Sequence, residues 1–185
     1  MSSIELFQNK TDCCGCSACY NVCPRKAISM QEDEYGYVYP VIDQDKCVGC
    51  GLCRKVCHYQ ADKELRTPIK AYAAAGKKEE FLKKAASGGM FSLVADKILE
   101  EGGVVFGAAM EYHNNTLIPK HIAVESKEEL FKLQGSKYVQ SFIGNTYAEA
   151  KKYLADGRKV LFSGTPCQIE GLKGYLGREY ENLYT

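Results

Sequence analysis

The chain has 185 residues, of which 45% are hydrophobic and 25% charged, and its formal net charge is +1. That balance suits a globular protein and gives no electrostatic reason to expect nucleic acid or an anionic lipid surface as a partner. No stretch approaches the roughly 20 apolar residues that span a bilayer, so no direct membrane insertion is expected. The start lacks the apolar run of an export signal, and thiols this dense then point to a cytoplasmic, reducing setting and a metal rather than cystines.

Eight of the ten cysteines fall into two runs. Cys13, Cys16, Cys19 and Cys23 follow a C-x2-C-x2-C-x3-C rhythm closed by Pro24. Cys47, Cys50, Cys53 and Cys57 repeat it 34 residues on, with His58 in the place of Pro24. This spacing holds pairs of [4Fe–4S] clusters, three cysteines of a run wrapping one cube while the fourth reaches the other. The expected ligand sets are therefore Cys13, Cys16, Cys19 and Cys57 for one cluster, and Cys47, Cys50, Cys53 and Cys23 for the other. Gly15, Gly49 and Gly51 stand between ligands, where backbone must pass close to sulfide. A zinc site commonly uses two C-x2-C knuckles separated by a longer loop, which fits the double x2 spacing less well. Cys14 lies one position off the rhythm and is expected to be a packed bystander able to replace Cys13 after damage. His58, His113 and His121 share no ligand spacing.

In chain order, residues 1–60 are expected to form an α+β, ferredoxin-like twin-cluster module. Ala27–Met30 and Gly36–Ile42 have strand composition, and the polar turn between them completes a short hairpin carrying the cluster loops. Tyr59–Pro68 reads as a linker. Residues 69–185 then read as an α/β domain with a mixed sheet, expected to be incomplete. Ile69–Ala75 is a candidate strand, followed by helix that Ser87-Gly88-Gly89 interrupts. From Met90 the apolar residues Phe91, Val94, Ala95, Ile98 and Leu99 keep helical spacing, which Gly102-Gly103 ends. Val104–Ala109 reads as a buried strand, His121–Val124 as its neighbour, and Lys127–Leu133 as a short helix. Helix Thr146–Leu154, strand Lys159–Phe162 and helix Gln168–Leu176 continue an alternation that argues for parallel pairs in the sheet. Leu183–Thr185 has the look of a further strand starting.

Three loops of this second stretch are candidates for a cofactor site. Ser87-Gly88-Gly89 opens a helix, where free amides suit a phosphate or a flavin pyrophosphate, or simply an N-cap. Ser163-Gly164-Thr165-Pro166-Cys167-Gln168 sits between a strand and a helix, where open α/β sheets bind ligands. Pro166 suits the first helical turn, and Cys167 near the helix's positive end is expected to have a lowered pKa. Gln134-Gly135-Ser136-Lys137-Tyr138 is the third loop.

The twin cysteine runs, Ala86-Ser87-Gly88-Gly89, Gln134–Tyr138 and Gly164–Gln168 together resemble the beta-subunit family of coenzyme F420 hydrogenases and dehydrogenases, in the same order and over nearly the whole chain. The resemblance implies an iron–sulfur flavoprotein oxidoreductase that relays electrons between two [4Fe–4S] clusters, FAD and a hydride-accepting partner, with a redox protein as donor or acceptor. It makes Ser87, Gly88, Gly89 and Lys137 flavin-site residues, with Gly164, Thr165, Pro166, Cys167 and Gln168 as the other wall. Cys167 would stand near the flavin or ligate an additional cluster. The family is usually longer, so a missing C-terminal segment or a further chain is expected to complete the flavin domain. A non-catalytic ferredoxin-type carrier with a docking domain is the alternative.

Overall fold

The computed structural model describes residues 4–60 and 67–185. Most of the expected linker over Tyr59–Pro68, residues 61–66, lies outside the described residues. In chain order the elements are α1 (Ala18–Val22), β1 (Ile28–Glu32), β2 (Val38–Ile42), α2 (Leu52–Lys55), α3 (Glu79–Lys83), α4 (Met90–Glu100), β3 (Val104–His113), β4 (Thr116–Val124), α5 (Thr146–Ala155), β5 (Val160–Phe162), α6 (Pro166–Leu176) and β6 (Leu183–Tyr184). No described helix is long and apolar enough to cross a membrane.

The chain packs as two compact units. One combines residues 4–60 with Ile143–Ala148 and Gly164–Glu179; the other takes residues 67–142, Glu149–Ser163 and Tyr180–Thr185. Two segments of the stretch 69–185 thus belong with the N-terminal residues, which a linear division into 1–60 and 69–185 does not anticipate.

In the first unit, β1 and β2 pair antiparallel, Ile28 opposite Ile42 and Glu32 opposite Val38. Asp33 builds the turn. Its carboxylate accepts the backbone N–H groups of Tyr35 and Tyr37, both at 3.0 Å, and Gly36 takes the left-handed conformation at φ 79°. Such a φ carries no steric cost only for glycine. Leu6, Ile28 and Cys53 are buried together, with Ile4, Phe7, Tyr20 and Ile42 packed against them.

The second unit is built on a four-stranded mixed sheet in the order β4-β3-β5-β6. β3 pairs antiparallel with β4, while β3–β5 and β5–β6 are parallel. Alternation along β3 separates two faces. Val105 and Ala109 join Ala95, Ile98 and Leu99 of α4, with Val124, Leu130, Leu133 and Leu161, in one buried cluster. Burying each large aliphatic side chain there contributes about 1.5–3 kcal/mol. Phe106 instead stacks on Phe162, ring centroids 5.3 Å apart, and meets Tyr153 of α5 at 6.2 Å. The expected helix over Lys127–Leu133 contracts to a 3-10 turn at Leu130–Lys132. The expected strand at Ile69–Ala75 is not formed. Ile69 is fully exposed, and the backbone at the end of that segment bonds elsewhere: Gly76 N–H donates to the Gly88 carbonyl at 2.7 Å.

Candidate iron–sulfur site

The sequence repeat is also a repeat of backbone. Gly15 and Ser17 in the first run have φ of 65° and 63°, and Gly49 and Gly51, 34 residues on, have 70° and 73°. In each run the second of these left-handed residues is the N-cap of a short helix, α1 or α2. Two left-handed residues within three positions curl the chain around a concavity, which is what three thiols converging on one centre require. Ser17 accepts a conformation that costs a non-glycine residue roughly 1–2 kcal/mol.

Two cavities sort the eight cysteines. Cys23, Cys47, Cys50 and Cys53 line one, with Ile28, Ile42 and Gly51 among its walls. Cys13, Cys16, Cys19 and Cys57 line the other, together with Cys14 and His58. Each cavity therefore draws three cysteines from one run and the last cysteine from the other. Backbone amides point at sulfur in both: Gly15 N–H donates to Cys13 Sγ at 3.5 Å and Ala27 N–H to Cys23 Sγ at 3.3 Å. Hydrogen bonds of this type are among the groups that set cluster potentials. Burial raises the Cys13 and Cys53 thiols and, with the charges of Cys13 and Cys57 nearby, pushes Cys19 up to about 12. Thiols that resist ionisation alone ionise by binding a cation, so the donor set suits a cluster, and loading it releases protons.

Residues far along the chain close over this site. α6 lies glycine-face down on the cysteine loops. A Cβ on Gly171 would stand 3.0 Å from both Cys16 Sγ and Tyr147 Oη, and one on Gly174 would stand 2.5 Å from the Val56 carbonyl oxygen. Glycines three apart share a helix face, so the helix backbone itself makes the contact. Tyr147 is fully buried, and its hydroxyl donates toward the carbonyls of Cys16 and Gln168, each at 2.8 Å. Asn21 Nδ2 donates to the Gly144 carbonyl at 2.9 Å. Sequence reading missed this cover; the one signal for it was Gly171 and Gly174 inside an otherwise good helix.

Cys14 Sγ lies 3.9 Å from His58 Nε2, and the neighbouring Cys16 thiol together with burial pushes the Cys14 thiol up to about 12 against a lowering contribution from Cys167. Cys167 stands in the first turn of α6, behind the Thr165 N-cap, whose amide donates to Gln168 Oε1 at 2.9 Å. The expectation of a lowered Cys167 pKa is overturned. Its hydrogen bond with Cys14 and its burial outweigh the hydrogen bond from Thr165 and the helix end, and the thiol is raised.

The flavin-site candidates are distributed between the units. Ser87, Gly88, Gly89 and Lys137 belong to the second unit; Gly164, Thr165, Pro166, Cys167 and Gln168 belong to the first. Gly88 is required by close approach, since a Cβ there would stand 2.3 Å from the Ala74 carbonyl oxygen. Gly89, at φ 72°, is the N-cap of α4. The Lys137 ammonium donates to the carbonyls of Gln134 at 2.8 Å and Lys132 at 3.2 Å, and partial burial lowers its pKa. Gln134 Nε2 in turn donates to Ser92 Oγ at 3.0 Å, tying that loop to α4. His121, which no motif singled out, is buried against Phe162 at the end of β5. With Ser163's carbonyl 3.0 Å from Nε2 the proton sits there, so Nδ1 accepts from Ser141 Oγ at 2.9 Å.

Comparison with known proteins finds two family matches along the chain. Residues 12–61 match the 4Fe-4S dicluster domain, and residues 71–145 match the N-terminal domain of the coenzyme F420 hydrogenase/dehydrogenase beta subunit. An uncharacterized protein of Methanocaldococcus jannaschii is 25% identical over 200 residues, spanning 92% of this chain and 54% of that protein. The coenzyme F420-dependent sulfite reductase of the same organism is 25% identical over 170 residues, 87% of this chain and 24% of the reductase. An uncharacterized ferredoxin from it is 33% identical over 55 residues, 30% of this chain and 70% of the ferredoxin. The chain thus spans about half of one long relative and about a quarter of the other. It is therefore similar to iron–sulfur proteins of oxidoreductase systems, with a 4Fe–4S dicluster match ahead of a match to the N-terminal domain of the coenzyme F420 hydrogenase/dehydrogenase beta subunit.

Proposed function

We propose that the chain is the electron-relaying part of an iron–sulfur flavoprotein oxidoreductase. Cys13, Cys16, Cys19 and Cys57 hold one [4Fe–4S] cluster, and Cys47, Cys50, Cys53 and Cys23 hold the other. The observation that carries this reading is the sorting of the eight cysteines into two cavities, each with its fourth thiol from the opposite run. The clusters supply one-electron transfer, and FAD, when bound, converts between single electrons and hydride. The chain's own residues place and tune. The amides of Gly15 and Ala27 lower electron density on the sulfurs of Cys13 and Cys23, and α6 with Tyr147 limits water at the first set. Ser87, Gly88, Gly89, Lys137 and Gly164–Gln168 are the residues proposed to contact the flavin, in a protein working in the cytoplasm with a redox protein as partner.

The test is iron, acid-labile sulfide and flavin per chain after purification without oxygen. About eight irons with one flavin supports the whole reading. About eight irons without flavin would replace it with the alternative, a ferredoxin-type carrier with a docking domain. That alternative is favoured by one observation, the engagement of the Lys137 ammonium by its own loop.

A further inference from the structure

We propose that electrons cross between this chain and another protein at the second cysteine set, and that the face around it docks an acidic one-electron carrier protein. The proposal rests on the two-cluster reading and gives the two sets different tasks. The first set is roofed: α6 lays Gly171 against Cys16 Sγ, and the Tyr147 hydroxyl donates to the Cys16 carbonyl at 2.8 Å. The set of Cys23, Cys47, Cys50 and Cys53 has no such cover. Among the described residues its cavity draws every wall from residues 4–53, and none from α6. Within its loop Gly49 and Cys50 are exposed, and Val48 is 56% open to solvent. Electron transfer between proteins falls off steeply with the gap between carriers, so the set whose own ligand reaches the surface is the one a partner can approach.

The side chains around that opening select the kind of partner. Val48 and Leu52, the latter 38% exposed, line the cavity with Cys50 and supply an apolar centre. Arg25 lines it as well, and Lys26, Lys46, Arg54 and Lys55, all exposed, lie within two residues of its walls along the chain. The carboxylates equally near along the chain are Glu5, Asp43 and Asp45, and Lys46 engages Asp43 at 2.7 Å. Arg25, Lys26, Arg54 and Lys55 make no ion pair among the described residues. In a chain of net charge +1 this is a local excess of positive charge. An apolar centre inside a charged rim is the pattern of a docking surface, and the sign of the rim selects an acidic partner and steers its approach. A small face suffices, since electron-transfer encounters bury less than about 1,200 Å². The exchange moves one electron: the carrier is oxidised by one as the second cluster is reduced by one, or the reverse, and no bond forms or breaks.

The test uses cluster-loaded protein purified without oxygen and a strongly acidic flavodoxin as the probe. Affinity is measured by isothermal titration calorimetry at low and high salt, with iron per chain determined on every sample. Binding should weaken as salt rises and fall at least about tenfold in the Arg25→Glu, Lys26→Glu double variant. Lys173→Glu, on α6 over the first set, should change it by less than about twofold, with iron at about eight throughout. Cys57→Ser protein, left with the second cluster, should take an electron from reduced flavodoxin as fast as wild type by electron paramagnetic resonance, and Cys23→Ser protein more slowly. If the double variant does not fold, carbodiimide cross-linking of the wild type decides, joints to flavodoxin from Lys26, Lys46 or Lys55 supporting the face. Joints from other lysines alone, no binding, salt-independent binding, equal loss in Lys173→Glu, equal electron uptake by the two cysteine variants, or cross-links to a second copy of this chain in place of flavodoxin overturn the proposal. A chain without iron sinks the cluster reading and this proposal with it, whereas full iron without binding at this face sinks the proposal alone.

Discussion

Replacing glycine by alanine inside a helix normally stabilises it by about 0.5–1 kcal/mol. At Gly174 the sign should reverse. The added Cβ would stand 2.5 Å from the Val56 carbonyl oxygen, 3.4 Å from its carbon and 3.6 Å from its Cα. The obstacle is backbone, so no side chain can swing away. α6 or the Val56 segment must retreat by roughly 0.5–0.9 Å to recover the tightest contacts that real Cβ atoms make, an overpacking strain of about 1–3 kcal/mol. Subtracting the helix gain leaves a net loss of about 1–2 kcal/mol, and in a chain of this size each kcal/mol moves Tm by about 2–4 °C. Thermal melts followed by far-ultraviolet circular dichroism, at one scan rate and without oxygen, should therefore place Gly174→Ala about 2–8 °C below wild type. Because Val56 precedes Cys57, iron at the first cysteine set should also be lost sooner on challenge with a chelator. A Tm equal to or above that of the wild type would mean that α6 does not rest on the Val56 backbone, and the account of its glycine face would fall.

Three further outcomes are expected. Tyr147→Phe removes the hydroxyl that serves the carbonyls of Cys16 and Gln168; leaving buried acceptors unserved costs about 1–3 kcal/mol, measurable by denaturant unfolding. Cys57→Ser should lower iron from about eight to about four per chain while sparing the set built on Cys47, and Cys23→Ser should do the reverse; selective loss of the other set in either variant refutes the crossed ligation. Burial lowers the His121 pKa in the folded state, so its contribution to stability is complete above the unfolded value of about 6.5 and is lost as pH falls through the folded one. The unfolding midpoint should drop on acidification below about pH 6.5, and His121→Gln should flatten that part of the profile, whereas an unchanged slope would show that another group titrates there.

The turns of the cysteine loops were legible because their geometry is local. Ligand spacing within each run fixes which thiols can converge, and the glycines at 15, 49 and 51 mark the left-handed turns that the backbone adopts. Ser17 hid the fourth such position, since nothing in its type announces the conformation. The amphipathic period of α4 and the apolar run of β3 were equally readable, because each buries one face. Ile69–Ala75 misled for the opposite reason: its composition suits a strand, but Ile69 is fully exposed and the next residue, Gly76, bonds to Gly88 rather than to a sheet. What the sequence concealed is long-range. The bond from Tyr147 to Cys16 joins residues 131 apart, and no spacing rule reports that a helix near the C-terminal end roofs a loop near the beginning.

The interleaving of the first unit sets an order of events at the ribosome. Cys57, the last thiol of the two runs, emerges 119 residues before Leu176, the end of α6. At 5–20 residues per second, synthesis of that interval takes roughly 6–24 s. For that time the cysteine loops exist without their roof, open to iron donors and equally to stray metals and oxidants. Cluster insertion thus has a window that translation opens and α6 shuts, and codon usage across residues 58–176 becomes a control on cofactor loading that leaves every side chain unchanged.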